Sequence, residues 1–450
     1  MSAKNIPEQE DVAVFKKWAA GNGVTPGPDA FFDAGRNAYW IRNKRGGWIL
    51  VNETQFKRTL KQQGISPKVR DGAYVSPLDE RLIEIQQTCD VHYAGALAGH
   101  KAGVYDMGER RILVTESPRI IEPKAGKWLI LAAFIDGLLN DSEIDQRTYL
   151  YAWLKISYET LLAGEKRPGQ GLAIAGPHGC GKSLLQNLIT LILGGRSARP
   201  YQFMSGLTAF NSDLFEAEHL MIEDEQASTD IRARRNFGAQ LKNLTVTDWQ
   251  RCHAKNRVPI SLSPFWRLSI TVNDEPENLM VLPPIDPSIE DKLIILRAYK
   301  KDMPMPTATL AQRKAFWQQL ENEIPAFLRF LTEWEIPGEL VSERFGITHF
   351  HHPELLRAID ILAPEFRLLR LIDDELFQSD AAGAWEGTAE QLERRLTGDA
   401  SGCKREAQKL FTFNSACGVY LGRLAKRHPE RFFHDHTREG NRWTIHPPIS

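Results

Sequence analysis

Apolar residues recur along this chain with changing periods, and the changes divide it into three regions. In the first, the short apolar runs Tyr39–Arg42 and Trp48–Val51 flank the turn Asn43–Gly47, which predicts a hairpin. A helix follows, capped by Asn52 with Gln55 three residues on, turning Phe56 and Leu60 inward and stopping at Gly64. Short strands around Gly103–Asp106 and Arg111–Thr115 complete a small mixed α/β domain, predicted to span 1–140. From Gln146 to Gly164, Leu150, Leu154, Tyr158, Leu161 and Leu162 recur at helical spacing. Short strand patterns then replace the helical period at Leu172–Ala175, His219–Ile222 and Trp266–Val272, as expected for core strands of a second domain, 141–335. After the exit Glu335–Gly338, residues 336–450 read as helices followed by two strands. Thr388 caps one helix; another, near Ser415–His428, places Val419, Leu421 and Leu424 inside. Arg431–His434 and Arg442–Ile445 flank a last turn, which predicts a winged-helix-like fold for this segment.

Composition narrows the class without choosing a function. The 450 residues carry a formal net charge of −1, so a nucleic-acid partner would have to be held by local basic patches. The N-terminus lacks the apolar stretch of a signal peptide, and no run is long enough to span a bilayer. A cytoplasmic protein with no membrane partner is expected. Cys89, Cys180, Cys252, Cys403 and Cys417 have no paired spacing, against both a zinc site and a disulfide framework. His349, Phe350, His351 and His352 have no fourth ligand at suitable spacing and read as a surface turn.

The chemistry lies in the second domain. Gly176-Pro177-His178-Gly179-Cys180-Gly181-Lys182-Ser183 stands between an apolar strand and an apolar helix, the order required by a phosphate-binding loop. Its glycines let backbone N–H groups and a helix N-terminus face negative charge. In this reading Lys182 reaches the β- and γ-phosphates of ATP and Ser183 ligates Mg²⁺. The strand from His219 ends in Glu223, Asp224 and Glu225; Asp224 is the candidate for an outer Mg²⁺ contact, with Glu225 or Glu223 polarising the attacking water. Asn273, at the tip of the next long strand, is placed to sense the γ-phosphate. Between these strands, Leu244–Leu262 reads as strand, basic turn, strand, presenting His253, Lys255 and Arg257.

Loop, acidic strand end, basic hairpin and strand-terminal Asn follow one another between Gly176 and Asn273, and this compact order resembles superfamily 3 helicases of the phage, plasmid and viral primase-helicase type. The resemblance implies an AAA+ type P-loop ATPase fold, a hexameric ring and translocation on single-stranded DNA through a hairpin-lined pore. It assigns Gly176, Gly181, Lys182 and Ser183 to the first motif, Glu223 and Asp224 to the acidic motif, Lys255 with His253 to the pore hairpin, and Asn273 to the sensor. No Arg follows Asn273 closely; Arg297 is the candidate finger for a neighbouring subunit's site, with Arg232, Arg234 and Arg235 as its rival.

From Cys403 onward nine cations face four acids, and Arg423, Lys426 and Arg427 are expected on the outer face of a helix that contacts duplex DNA. The expected function is an ATP-dependent replicative DNA helicase of a phage or mobile element, acting on single-stranded and forked DNA, with a primase or polymerase as a further candidate partner. The alternative is an ATP-dependent DNA-binding switch or helicase loader that does not unwind. A bifunctional primase-helicase would need metal-binding acids, and no convincing set occurs in the N-terminal region.

Overall fold

The computed structural model describes residues 29–107, 110–141, 143–164, 167–223, 231–378, 383–437 and 440–448. They fall into two units, one within Met1–Asp274 and Asp286–His352, the other within Glu275–Ile285 and Pro353–Ser450. No helix among the described residues is long and apolar enough to cross a membrane.

The first unit is built on a parallel sheet of five strands: β1 (Gly171–Ala175), β2 (Ser197–Ala198), β3 (His219–Glu223), β4 (Arg267–Val272) and β5 (Leu293–Arg297), in the order β5-β1-β4-β3-β2. Every residue of β1 and β4 is buried; β1 accordingly reads as an unbroken apolar run, whereas β4 carries Arg267, Ser269 and Thr271 on one face. Helices α1 (Leu129–Leu139), α2 (Arg147–Ala163), α3 (Lys182–Ile192), α4 (Ile231–Val246) and α5 (Leu310–Glu333) accompany the sheet. Leu131, Trp153, Leu172, Ile189, Ile294 and Phe327 belong to one apolar cluster that joins α1, α2, α3 and α5 to β1 and β5. This is a mixed α/β fold whose parallel sheet is consistent with a P-loop core.

Tertiary contacts complete what local signals leave open. Trp128 supplies no side-chain cap to α1; instead the buried Glu323 of α5 accepts from the Leu131 N–H at 2.8 Å, meeting one of the helix's orphan donors. Helix α1 therefore belongs to this core, although the apolar pattern assigned it to the N-terminal domain. The segment read as a surface turn runs inward instead. The Ile295 N–H donates to the Phe350 carbonyl and the His352 N–H to that of Ile295, at 2.7 and 2.9 Å; His352 is buried, its Nε2 3.1 Å from the Tyr299 hydroxyl. An unpaired flank of β5 recruits this segment, a reason that no local residue pattern carries. Leu162, read as inward, is 44% exposed.

A small lobe precedes the core. Trp48–Val51, Ala38–Arg42, Ala30–Asp33 and Asp90–Val91 form a sheet in that order, covered by helices Glu53–Gln62 and Pro77–Thr88. The Asn52–Gln55 capping box is present, and Tyr39 packs on Phe56 with ring centroids 4.6 Å apart. Tyr93–Gly95, Arg110–Val114 and Gly103–Met107 make a second, three-stranded sheet.

In the second unit, helices α6 (Pro353–Leu362), α7 (Pro364–Leu376), α8 (Ala389–Thr397), α9 (Lys404–Leu410) and α10 (Ala416–Arg427) accompany a sheet of Trp385–Thr388, Gly440–Ile445 and Phe432–Thr437. Thr388 caps α8 in a box with Gln391. Leu368, Leu392, Leu421, Phe432 and Trp443 share its core. Val419, expected inside, is 39% exposed, because the buried face of α10 runs through Cys417, Tyr420, Leu421 and Leu424.

A polar chain runs under the apolar sheet. Gln186 of α3, fully buried, donates to Ser269 Oγ of β4 at 2.8 Å and accepts from Thr271 Oγ1 at 3.0 Å. Ser269 also stands 2.7 Å from His219 Nε2, whose Nδ1 is 2.7 Å from Thr190 Oγ1. Burial pushes the His219 imidazole down to about 3. The folded state therefore keeps His219 neutral where the unfolded chain takes up a proton, so stability is full above about pH 6.5 and falls as the pH is lowered. From this residue alone the loss by pH 5 is on the order of 2 kcal/mol, and His219→Gln should flatten that slope in urea titrations at the two pH values. Ser269→Ala, which strands an imidazole nitrogen and an amide in the interior, should cost about 2 to 4 kcal/mol at neutral pH in the same assay.

Candidate functional site

The glycine-rich loop closes against the chain that leaves the neighbouring strand β5. At the end of β1 the Ala298 N–H donates to the Ala175 carbonyl at 2.7 Å, so the chain leaving β5 runs directly beside Gly176. A Cβ at Gly176 would lie 2.4 Å from the Ala298 carbonyl oxygen, and only glycine permits that approach. Gly181 begins α3 with φ 109° and no side-chain cap, leaving the first N–H groups of the helix directed to the outside. Gly179 also has positive φ; His178 and Ser183 are exposed, Pro177 is half-buried and Cys180 is buried.

Lys182 is 6% exposed. Its ammonium donates to the carbonyls of Gly176 at 2.6 Å and Pro177 at 2.9 Å, and to Asn273 Oδ1 at 3.0 Å. Loop lysine and strand-tip amide, 91 residues apart in sequence, meet because β1 and β4 are neighbours in register, Ala175 opposite Val272. β3 is the next strand, Glu223 opposite Thr271. The Glu223 carboxylate is ion-paired with Arg199, just beyond β2, a partner that the spacing of sequence motifs does not indicate. Asp224 and Glu225 lie outside the described residues, as do the side chain of Arg232 and all of Arg438.

The loop fits a nucleotide polyphosphate on its own geometry. Gly179 has no atom within 4 Å of a Cβ position, a helix N-terminus opens beside it, and a buried ammonium rests on neutral oxygens that phosphate would replace. Ser183 stands exposed in the first turn of α3. Arg297 ends β5 opposite Ala175 of its own chain. Gln146 holds its backbone N–H and carbonyl at 2.7 and 3.0 Å, and its guanidinium lies 5.6 Å from the centre of the Tyr299 ring.

The hairpin exists, pairing Gln250–Cys252 with Ile260–Leu262, but its three cationic candidates differ. Lys255 is exposed at the turn, beside Asn256 at φ 60°. His253 packs its ring against Phe210 at 5.1 Å. Arg257 turns back to the buried Asp33 of the N-terminal lobe, 3.8 Å away, where it supplies countercharge instead of projecting with Lys255. A second loop, overlooked in the sequence because it carries no charge, joins this tip. Asn211, nearly buried, donates to the Arg251 carbonyl at 3.0 Å and accepts from the His253 N–H at 2.7 Å. It thereby fixes a turn with Leu207 74% and Phe210 42% exposed beside the hairpin, whose Val258 is 90% exposed.

In the second unit the expected basic face is largely consumed by ion pairs. Arg423 holds the buried Glu365 at 3.1 Å, and Arg427 bonds Asp360 and the Ile285 carbonyl, both at 2.7 Å. Arg431 holds Asp373 at 2.6 Å, and Lys404 pairs with Asp399. Lys426 is exposed with no ion pair among the described residues. Among the described residues no cluster of three His, Cys, Asp or Glu side chains suits a metal, and the five cysteines are free.

Residues 174–286, from β1 through the hairpin to the segment after β4, match a family of unknown function, DUF5906. No curated protein matches the sequence. Among solved structures, the apo C-terminal region of NrS-1 is similar with a TM-score of 0.51 and 12% identity, over 98% of this chain and 100% of that one. An A-form structure of the same region gives 0.51 and 11%, over 97% and 100%. The SCCmec type IV Cch protein, described as an active helicase, is 9% identical over 89% of this chain and 70% of that one, with a TM-score of 0.31, too low to argue from. The NrS-1 likeness shows a shared fold.

The ion pairs of the second unit change what its variants should do. Arg423→Ala leaves the Glu365 carboxylate buried without its cation and should destabilise that unit by about 1 to 2 kcal/mol in chemical unfolding. Lys426→Ala should leave unfolding unchanged, which makes it the cleaner probe of duplex binding.

Proposed function

We propose that this chain is an ATP-dependent DNA helicase of a phage or mobile-element replication system, an AAA+ type ATPase that moves along single-stranded DNA from a forked substrate. The observation that carries the reading is the hydrogen bond from Lys182 to Asn273 Oδ1. It joins the phosphate-loop cation to an amide on the neighbouring strand, one strand from the acidic end of β3. On binding ATP, Lys182 exchanges the loop carbonyls for β- and γ-phosphate oxygens and frees Asn273 to report the γ-phosphate. Bound Mg²⁺, held by Ser183 with Asp224 as the outer contact, would supply charge neutralisation on the phosphates. Glu223 or Glu225 would orient the water, and for Glu223 this requires release from Arg199.

The nucleic-acid side of the proposal rests on the hairpin and its neighbouring loop. Lys255 offers a cation to phosphate, while Phe210 and Leu207 offer apolar surface against which unstacked bases pack. A hexameric ring is proposed from the same family resemblance, with Arg297 as a finger for the next subunit and a primase or polymerase as a partner. A winged-helix-like second unit would then contact duplex through Lys426, because Arg423 and Arg427 are engaged. The second reading is a switch or loader that binds DNA without unwinding it.

Lys182→Ala should abolish ATP hydrolysis, measured as phosphate release, while the protein keeps its wild-type circular dichroism. Full turnover in that variant would end the ATPase reading. Lys255→Ala should keep basal hydrolysis within about twofold but lose DNA stimulation and strand separation on a labelled fork. Strong ATP-dependent DNA binding by the wild type with no strand separation would select the switch.

A further inference from the structure

The N-terminal lobe carries no motif, yet its charge distribution differs from that of the rest of the chain. Between Asp29 and Ser76 nine Lys and Arg stand against four Asp and Glu, a local excess of five in a protein whose net charge is −1. Ion pairing does not remove that excess. Lys57 is paired with Glu53 and Arg36 with Asp33. Lys44, Arg45, Arg58, Lys61, Lys68 and Arg70 are exposed and take part in no ion pair among the described residues. The contrast with the second unit is direct, since there the buried Glu365 and the half-buried Asp360 and Asp373 hold the arginines.

Four of these cations, Arg58, Lys61, Lys68 and Arg70, lie on one short stretch of chain and all are exposed. Arg58 and Lys61 stand three residues apart on the outer side of the helix Glu53–Gln62, opposite the buried Phe56 and Leu60. The chain then enters an exposed loop whose course is set by backbone bonds. Ile65 N–H donates to the Leu60 carbonyl at 3.0 Å, Leu78 N–H to that of Ser66 at 3.2 Å, and Ala73 N–H to that of Arg70 at 3.0 Å. Lys68 and Arg70 lie on this loop, and just past its turn Tyr74 is fully exposed, with no ring or hydrogen-bond partner among the described residues. Cations on a helix and loop next to an unpartnered aromatic ring are the parts with which single-stranded nucleic acid is held, phosphates by the charges and a base by the ring face.

We infer that the helix–loop segment from Arg58 to Tyr74 is a second single-stranded nucleic-acid contact, with Arg58, Lys61, Lys68 and Arg70 on phosphates and Tyr74 stacked on a base. It extends the nucleic-acid reading above but rests on residues that take no part in hydrolysis.

The test is fluorescence anisotropy of labelled oligo(dT) and of a mixed-sequence duplex with the full-length protein over a range of salt. Three proteins are compared with wild type: the Arg58→Gln/Lys61→Gln/Lys68→Gln/Arg70→Gln variant, Tyr74→Ala and Lys255→Ala. The quadruple variant should keep basal ATPase and lose at least tenfold in oligo(dT) affinity, with a log–log salt slope shallower by about 3, at roughly 0.7 per phosphate contact. Tyr74→Ala should weaken oligo(dT) binding by roughly five- to hundredfold and leave the duplex unchanged, and Tyr74→Phe should restore it. Wild-type affinity and slope in the quadruple variant would overturn the inference, and a silent Tyr74→Ala would overturn its single-strand assignment. If Lys255→Ala alone loses oligo(dT), the lobe is excluded while the proposed helicase stands; if only the quadruple variant loses it, the lobe stands and the hairpin falls.

Discussion

A buried ammonium is the constraint around which the first unit is organised. Removing a charge from water is costly unless it is fully hydrogen-bonded, and Lys182 meets that demand with two loop carbonyls and Asn273. Each acceptor depends on larger structure. The carbonyls face inward because Gly176 lies against the Ala298 carbonyl, and Asn273 arrives because β4 lies next to β1. The arrangement is satisfied yet exchangeable, since phosphate oxygens are better acceptors for a cation than neutral amides.

The strands that bring these groups together are held from beneath by polar contacts as well as by packing. Gln186 projects from the phosphate-loop helix into the sheet and, through Ser269 and Thr271, ties α3 to β4; His219 and Thr190 extend the tie to β3. Apolar side chains alone tolerate small slips, whereas a fully buried donor loses its partner if a strand shifts. That specificity matters where Lys182, Asn273 and Glu223 must stand at the tips of three consecutive strands. Asn273 also lies two residues before Glu275, where the chain leaves for the second unit, so the residue touching Lys182 is directly continuous with a segment packed in the other body.

Charge is distributed by the fold in a way that composition does not foretell. The C-terminal segment has as large a local excess of cations as residues 29–76 of the N-terminal lobe, but the helices of the second unit set carboxylates beside its arginines. In the lobe, two short helices leave theirs on the outside. Cation counts alone rank the two surfaces equally; pairing separates them.

The local parts were legible in the sequence because their causes are local. Gly176, Gly179 and Gly181 announce a loop by the backbone angles and close approaches they allow, unbroken apolar runs announce strands buried on both faces, and Asn52 and Thr388 announce helix starts through their own side chains. Contacts between distant segments were not legible. Nothing near Arg257 signals Asp33, nothing near Glu223 signals Arg199, and the inward course of His351–His352 follows from an open strand flank met in three dimensions. The residues by themselves determined which groups are present, a glycine-rich loop with its lysine, an acidic strand end and a strand-tip amide. Only the tertiary structure decided which charges remain available, because a charge is free or spent according to what the fold brings within reach.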